Sequence, residues 1–293
     1  PHYLHVLLRR PRQLCLRYSG YHGREDVLAR CCVLLGNLSC PTKKSNELFL
    51  PRYHQPLETA LKSLLGDENF CLDAYLANVG KNTKQEVDPK NGLIAGYPAA
   101  VIAKSLHLGA MHYALDAACA SSLYSVKLAC DHLNMGKADM MLAGAVSGGD
   151  PFFVNMGFSI FQAYPENGIH APLDTNSQGL FAGEGAGMLV LKRYDDAIRD
   201  GDKIYASILA GGLSNDGKGQ HVLSPNSKGQ VLAYKRAYDD ANVDPTTVEF
   251  FTCHATGTPV GAKVELTSME TTYGRYAHER KRTIPLIGWG TVS

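Results

Sequence analysis

The sequence lacks the features that would place a protein across a membrane, in a secretory route or on a nucleic acid. No apolar run approaches the ~20 residues that cross a bilayer. The short apolar stretch at residues 4–8 precedes Arg9 and Arg10 rather than following them, which is the wrong order for a secretory signal. The formal net charge is only +1, and the basic residues are scattered. We therefore expect a globular cytoplasmic protein with no membrane span and no nucleic-acid partner.

Metal-binding and redox spacings are also absent. The eight cysteines contain no C-x-x-C pair, which argues against a zinc site or a dithiol motif. Adjacent Cys31 and Cys32 lie in an apolar run and have the character of small core residues. Unpaired thiols in a large domain are typical of a reducing compartment. The sequence predicts no metal.

A dinucleotide-binding loop is missing as well. Gly183, Gly185 and Gly187 flank Glu184, but they lack the third glycine position of the dinucleotide fingerprint and lead into a predicted strand. We interpret these glycines as allowing close backbone packing around a partly buried Glu184 carboxylate.

Apolar periodicity predicts strands that alternate with helices. No element is assigned to residues 1–28. Strands are predicted at 31–38, 113–118, 140–146, 185–191, 204–212 and 248–253, and helices at 46–65, 99–106, 121–133, 194–200, 228–242 and 264–273. An aromatic-rich loop at 152–164 is expected to line a tunnel or to pack at a subunit interface. This alternation predicts an α/β protein built in layers.

Cys119 lies where a predicted buried strand meets a predicted helix, whose apolar face is expected to carry Leu123, Val126, Cys130 and Leu133. The free N–H groups and the positive end of a helix favour a thiolate, which is the nucleophilic form. Small neighbouring residues would let a substrate approach. From this context alone, a buried structural cysteine remains the alternative.

His254 follows a predicted strand inside a loop of small residues that includes Thr256 and Thr258. An imidazole in this position can donate a hydrogen bond to a developing enolate or oxyanion, although a structural histidine is the alternative. A further segment, residues 215–217, has the composition of a turn.

Four motifs, in this order and at this spacing, resemble those of the β-ketoacyl synthases. They are Asp116-Ala-Ala-Cys119-Ala-Ser-Ser-Leu123; Pro172-Leu-Asp174 with Gly183-Glu184-Gly185-Ala186; Asn215-Asp216-Gly217 with Ser224-Pro225-Asn226; and His254-Ala-Thr-Gly257-Thr258-Pro259-Val-Gly261. The resemblance extends from about residue 30 to about residue 288. Residues 33–39 and 143–151 look most like the ketosynthases of polyunsaturated fatty acid and polyketide synthases.

The resemblance implies a thiolase-like αβαβα fold. It implies an N-terminal half over residues 29–200, which carries the nucleophile, and an incomplete C-terminal half over residues 201–293, with residues 1–28 unassigned. It also implies a homodimer or a heterodimer of the ketosynthase type.

The activity implied by the resemblance is a decarboxylative Claisen condensation of an acyl thioester with a malonyl thioester. Cys119 would accept the acyl group from the phosphopantetheine of an acyl carrier protein, and His254 would stabilise the enolate. Glu184, Asp116, Thr256 and Thr258 would support the site. No bound cofactor or metal is implied.

The sequence also departs from the family pattern. A lysine and a second histidine normally follow in a segment like the one that begins at Pro285, but the sequence stops at Ser293, so we expect a domain truncated at both ends with little turnover alone. Ala171 and Ala262 replace an arginine and an aspartate that are usual in the family. The alternative is a non-catalytic fragment or a partner of the chain-length-factor type, although such partners typically lack the cysteine.

Overall fold

The computed structural model describes residues 4–7, 24–38, 43–81, 95–148, 154–218, 224–279 and 288–290. Its helices are α1 Glu25–Ala29, α2 Lys43–Leu65, α3 Leu72–Lys81, α4 Tyr97–Ser105, α5 Ser121–Asn134, α6 Met156–Ile160, α7 Tyr194–Arg199, α8 Ser227–Ala241 and α9 Pro259–Glu279. Its strands are β1 Leu4–Leu7, β2 Cys31–Gly36, β3 His112–Leu115, β4 Met140–Ser147, β5 Gly185–Arg193, β6 Ala206–Ile208, β7 Phe250–Thr252 and β8 Gly288–Gly290.

Six of the strands form one mixed sheet in the order β3-β2-β4-β5-β1-β6. Strand β2 pairs in parallel with both β3 and β4, whereas β5 runs antiparallel to β4 and β1. All six residues of β2 are buried, which explains why its sequence is continuously apolar rather than alternating. Cys119 follows the carboxyl end of β3, so it lies at the end of the sheet where the parallel strands β2, β3 and β4 finish.

Helices cover both faces of this sheet. Cys32 and Leu34 of β2 point to the α5 side, where they pack with Leu133. Val33 and Leu35 point to the opposite side, where α1 and α4 contribute a second apolar cluster that includes Ala99. The period-two alternation of strand side chains therefore divides one buried strand between two cores.

A third core lies in the C-terminal region. Cys253, Ala255, Met269 and Tyr273 are buried there, with aromatic side chains of α8 and β7 packed around them. Strands β7 and β8 pair in parallel. This core supports the loop that follows β7, which contains His254.

The predicted face of α5 needs a correction. Its buried residues include Ser121, Ser125, Ala129 and Leu133, whereas Leu123 is 70% exposed. Small side chains let the helix approach the sheet closely, and Ser125 Oγ donates to the carbonyl of Gly144 at 2.8 Å. The contact face is therefore set by serine and alanine as much as by the large apolar residues.

Two strand predictions also differ from the structure. Residues 1–28, for which the sequence predicts no element, contain β1 and most of α1, and β1 lies between β5 and β6. Four residues without a turn signal carry too little local pattern to be recognised as a strand. Strand β6 covers only Ala206–Ile208 of the predicted 204–212, and beyond its end Gly212 packs against the backbone of Ala233 in α8.

Several predicted features lie outside the described residues. They are residues 149–151 of the segment 143–151, Phe152 and Phe153 of the aromatic-rich loop, and residues 285–287 of the segment that begins at Pro285. Within the described ranges, no helix combines the length and the apolar character that a membrane crossing requires.

Candidate active site

Cys119 lies on a tight backbone turn between β3 and α5. Asp116 begins this turn, and its Oδ1 accepts a hydrogen bond from the Ala118 N–H at 3.0 Å. Ala118 has a φ of 50°, in the left-handed region that residues with a Cβ rarely adopt. Cys119 then follows as an exposed residue just before the first turn of the helix. Asp116 therefore shapes the turn.

The structure brings Cys119 and His254 together. The neighbouring His254 side chain lowers the pKa of the Cys119 thiol, against the opposing effect of desolvation by the surrounding protein. The same interaction raises the pKa of His254, and the charge of Glu265 adds to that rise. We expected the start of the helix to favour the thiolate, but the largest cause of the lowered Cys119 pKa is the imidazole.

Glu265 of α9 holds the backbone of the histidine loop, and no motif in the sequence points to it. Its side chain is 7% exposed. Its Oε1 accepts from the His254 N–H at 2.6 Å, and its Oε2 accepts from the Ala255 N–H at 2.9 Å. Two charge-assisted hydrogen bonds from one carboxylate fix the peptide on either side of the imidazole. The sequence signal available for Glu265 was a single carboxylate on the inner face of the helix predicted at 264–273.

Thr256 and Thr258 bond to each other rather than to Cys119. Their hydroxyl oxygens are 3.0 Å apart, and the Thr258 carbonyl accepts from the Ala262 N–H at the start of α9. Gly261 packs closely against the Thr258 hydroxyl. The two threonines therefore shape the connection from the histidine loop to α9.

The chain from His170 to Gly179 closes over the other side of this loop. His170 Nε2 lies 3.3 Å from the Thr256 carbonyl oxygen, and the buried Ser177 hydroxyl donates to the Gly257 carbonyl. Gly257 has a φ of 84°, and a Cβ there would collide with the carbonyl of Gly179. A glycine is therefore required at position 257. Ala171, Pro172 and Leu173 belong to this supporting segment.

Glu184 does not have the environment expected for it. It is exposed, and a Cβ added at Gly183 or Gly185 would meet no described atom within 4 Å. The interpretation of a partly buried carboxylate in close backbone packing is therefore wrong. The close approach in this region occurs at Gly144 of β4, whose Cα lies against the backbone of Gly187.

The segment at 215–217 forms the turn that its composition predicts. Asn215 Oδ1 accepts from the Gly217 N–H at 2.9 Å, and Asp216 Oδ1 accepts from the Asn226 N–H at 3.0 Å. Asn226 in turn caps α8 by accepting from the Lys228 N–H at 3.0 Å. The turn is thus joined to the start of a helix.

Aromatic rings lie in and near the loop that contains α6. Tyr164 contacts Phe158 edge to face and stacks on Phe181, with centroid distances of 6.1 and 6.0 Å. Phe161 and Ile160 are 62% and 70% exposed. This apolar surface fits either of the two roles predicted for the loop, an acyl tunnel or a subunit interface.

The fold has well-matched solved structures. One described as "PfaC Keto synthase-Chain length factor" is 60% identical, with a TM-score of 0.78 over 94% of this chain and 28% of its own. The ketosynthase from module 6 of the bacillaene synthase from Bacillus subtilis 168 is 26% identical, with a TM-score of 0.67 over 94% of this chain and 42% of its own. The predicted thiolase-like α/β fold is confirmed.

Sequence relatives are parts of much longer proteins. A polyunsaturated fatty acid synthase polypeptide of Thraustochytrium sp. is 38% identical over 263 residues, which is 85% of this chain and 12% of that protein. A mycocerosic acid synthase-like polyketide synthase of Mycobacterium tuberculosis is 34% identical over 203 residues, or 69% of this chain and 10% of that protein. The chain thus spans about a tenth of the length of the curated relatives it matches.

Two family models match consecutive parts of the sequence. Residues 64–197 match the model described as "Beta-ketoacyl synthase, N-terminal domain", and residues 205–287 match the model described as "Beta-ketoacyl synthase, C-terminal domain". Both motifs that meet in the structure, around Cys119 and around His254, lie inside these matches. The chain therefore belongs to the β-ketoacyl synthase family.

Proposed function

We propose that this chain contributes a ketosynthase site that joins an acyl thioester to a malonyl thioester by decarboxylative Claisen condensation in fatty acid or polyketide synthesis. The observation that carries the proposal is the contact between Cys119 and His254. It supplies an exposed thiol of lowered pKa beside a hydrogen-bonding imidazole. A thiolate of this kind is the attacking form in nucleophilic catalysis.

In the first step, the Cys119 sulfur attacks the carbonyl carbon of the acyl thioester. The new carbon–sulfur bond forms as the old one breaks, and the departing thiolate takes a proton, for which the His254 imidazolium is the nearest donor. Backbone N–H groups at the start of α5 are suited to hold the oxyanion. The products are an acyl-Cys119 thioester and a free carrier thiol.

In the second step, a malonyl thioester loses CO2 and the electrons of the broken bond form an enolate. His254 donates a hydrogen bond to the enolate oxygen, which stabilises the developing charge. The enolate carbon attacks the acyl carbon on Cys119, and the sulfur leaves as the thiolate. The Cys119 thiolate is regenerated, and one proton taken up from solvent restores the imidazolium that the first step consumed.

Other residues assist the two steps indirectly in this proposal. Asp116 shapes the turn before Cys119, and Thr256 with Thr258 shapes the connection after His254. Glu184 also remains a proposed supporting residue, with an exposed side chain available to a substrate or a partner. We further propose two halves that meet near residue 200, because the two family matches end and begin at residues 197 and 205.

The proposed partners follow from the reaction. Both thioesters would arrive on the phosphopantetheine of an acyl carrier protein, and the chain would pair as a homodimer or as a ketosynthase-type heterodimer. The relatives in polyunsaturated fatty acid and polyketide synthases support this assignment.

A second candidate is a partner of the chain-length-factor type that dimerises without turnover. It is favoured only by the name of the 60% identical structure, which includes both a keto synthase and a chain length factor. A chain-length factor has no need of an activated nucleophile. The paired Cys119 and His254 therefore support the catalytic assignment.

The proposal is tested by acyl transfer, since both groups proposed for that step lie in this chain. The protein is incubated with an acyl-N-acetylcysteamine thioester, and the modified peptide is identified by mass spectrometry. We expect the acyl group on Cys119, with none in Cys119→Ala. An unmodified Cys119, or equal labelling in the variant, would show that the proposal is wrong.

A further inference from the structure

The Ser121 hydroxyl forms hydrogen bonds to the backbone at two points of the turn before Cys119. Its Oγ accepts a hydrogen bond from the Ala117 N–H at 2.9 Å and donates one to the Ala118 carbonyl oxygen at 2.6 Å. Ser121 is 7% exposed, so these bonds are protected from competition with water. This one hydroxyl therefore accepts a hydrogen bond from the N–H group at the start of the turn and donates its proton to the carbonyl group at the end.

The residue inside this turn has a strained backbone. Ala118 has a φ of 50°, which is unfavourable for a residue with a Cβ. Such a conformation persists only when several surrounding interactions hold it in place. Here the Ala118 N–H is bonded to Asp116, and its carbonyl oxygen accepts from both the hydroxyl and the backbone N–H of Ser121. Without the hydroxyl, Ala118 would lose one of the contacts that offset its strain.

Strand β2 fixes where Ser121 lies. A Cβ added to Gly36, the last residue of β2, would lie 2.8 Å from the Ser121 Cβ. The strand backbone and the first residue of α5 are therefore in direct contact. Ser121 cannot move away from the turn without separating the helix from the sheet.

We propose that Ser121 is a positioning residue for the nucleophile: its hydroxyl holds Ala118 in the left-handed conformation, which directs the Cys119 thiol towards His254. The importance of this positioning for acyl transfer rests on the proposed function, in which Cys119 is the acyl acceptor. The positioning itself can be measured on the thiol without any thioester. It also explains why a serine is buried at the first position of α5.

The test compares Ser121→Ala, Ala118→Gly and the double variant. The readout is the rate at which iodoacetamide alkylates Cys119 as a function of pH, followed on the Cys119 peptide by mass spectrometry. We expect Ser121→Ala to slow alkylation at pH 7 roughly tenfold, the scale of one strained backbone residue, and to shift the pH inflection upwards. Thr271→Ala is the matched control, since Thr271 is an exposed hydroxyl that donates to a helix carbonyl at 2.8 Å.

The double variant separates positioning from general damage. Glycine adopts positive φ without a steric penalty, so Ala118→Gly should retain the turn in the absence of the hydroxyl. We therefore expect the double variant to recover most of the wild-type rate, and Ala118→Gly alone to stay within about twofold of it. A merely structural loss at Ser121 would not be repaired by a change at position 118.

The inference is overturned if Ser121→Ala alkylates like the wild type with the same inflection, or if the double variant is as slow as Ser121→Ala. If Ser121→Ala does not fold, recovery of folding and alkylation in the double variant supports the inference, and failure to recover overturns it. Acylation of wild-type Cys119 is measured alongside. If wild-type Cys119 takes no acyl group, the proposed function fails while the alkylation comparison still decides the role of Ser121.

Discussion

Two cysteines at either end of one stretch of chain differ in almost every physical respect. Cys119 is exposed before the first turn of α5, and the His254 side chain lowers its pKa. Cys130 lies within α5, buried between the helix and the sheet, and burial raises its pKa to about 12. The Cys119 thiol therefore ionises more readily than an ordinary cysteine, whereas Cys130 behaves as an apolar core residue.

Cys253 sharpens this comparison because it directly precedes His254 in the sequence. Its sulfur lies 3.8 Å from the Met269 sulfur, and burial raises its pKa to about 11. Cys253 is buried in the C-terminal core, whereas His254 is exposed. The position of Cys253 next to His254 in the sequence therefore does not make its thiol reactive. The cysteine that interacts with the imidazole is Cys119, which is distant in the sequence.

The largest effect is expected from Cys119→Ser. A hydroxyl is a much weaker nucleophile than a thiolate at neutral pH, so acyl transfer should fall by a factor on the order of 10³ or more. Initial rates of acyl transfer with a radiolabelled thioester measure the loss. Cys71→Ser, a change at another exposed cysteine, is the control and should transfer at the wild-type rate. Equal losses in both variants would remove the distinction between Cys119 and other thiols.

Glu265→Gln should have the next largest effect. The amide can accept from only one of the two N–H groups that the carboxylate binds, and the loss of a charge-assisted bond costs about 1.5–3 kcal/mol. Chemical denaturation measures that loss of stability. Because His254 is then held less firmly, alkylation of Cys119 at pH 7 should also slow.

Glu270→Gln provides the control for that experiment, since Glu270 lies on the same helix and is exposed. It should leave both the unfolding free energy and the alkylation rate unchanged. If Glu265→Gln behaves like Glu270→Gln, the carboxylate does not hold the histidine loop.

The smallest effect on reactivity is expected from Cys130→Ala. Removing a buried sulfur from a packed core should lower the free energy of unfolding by about 1–2 kcal/mol. Acyl transfer to Cys119 should not change, because Cys130 faces the sheet rather than the turn. A loss of acyl transfer larger than the loss of folded protein would mean that the two cysteines are coupled. Denaturant titration and acyl-transfer rates on the same samples make the comparison.

Local sequence patterns were sufficient for much of the fold and for selecting Cys119 and His254 as candidates, while their proposed roles came from the family resemblance. Helix α5 and strands β2 and β4 have strong periodicity or long apolar runs, and the motifs around Cys119 and His254 are dense in small residues. Both side chains were identified from those motifs, and the structure brings them together.

What could not be predicted depends on contacts between distant parts of the chain. Glu265 gains its importance only when α9 lies under the histidine loop, and β1 is a strand only because β5 and β6 flank it. Glu184 was expected to be partly buried from its glycine neighbours, yet it is exposed, and a Cβ added at Gly183 or Gly185 would meet no described atom within 4 Å. A glycine pattern does not distinguish close packing from an open connection.

The central claim is that His254 makes Cys119 nucleophilic, and the most direct test is the pH dependence of Cys119 alkylation in the wild type and in His254→Gln. A lowered pKa means that more thiolate is present at pH 7, so the wild-type rate should inflect below the pH at which an ordinary cysteine does. Without the imidazole, desolvation remains as the opposing influence, so the inflection should move up to the ordinary cysteine value or above it. Coincident inflections at the ordinary value in both proteins would contradict the account.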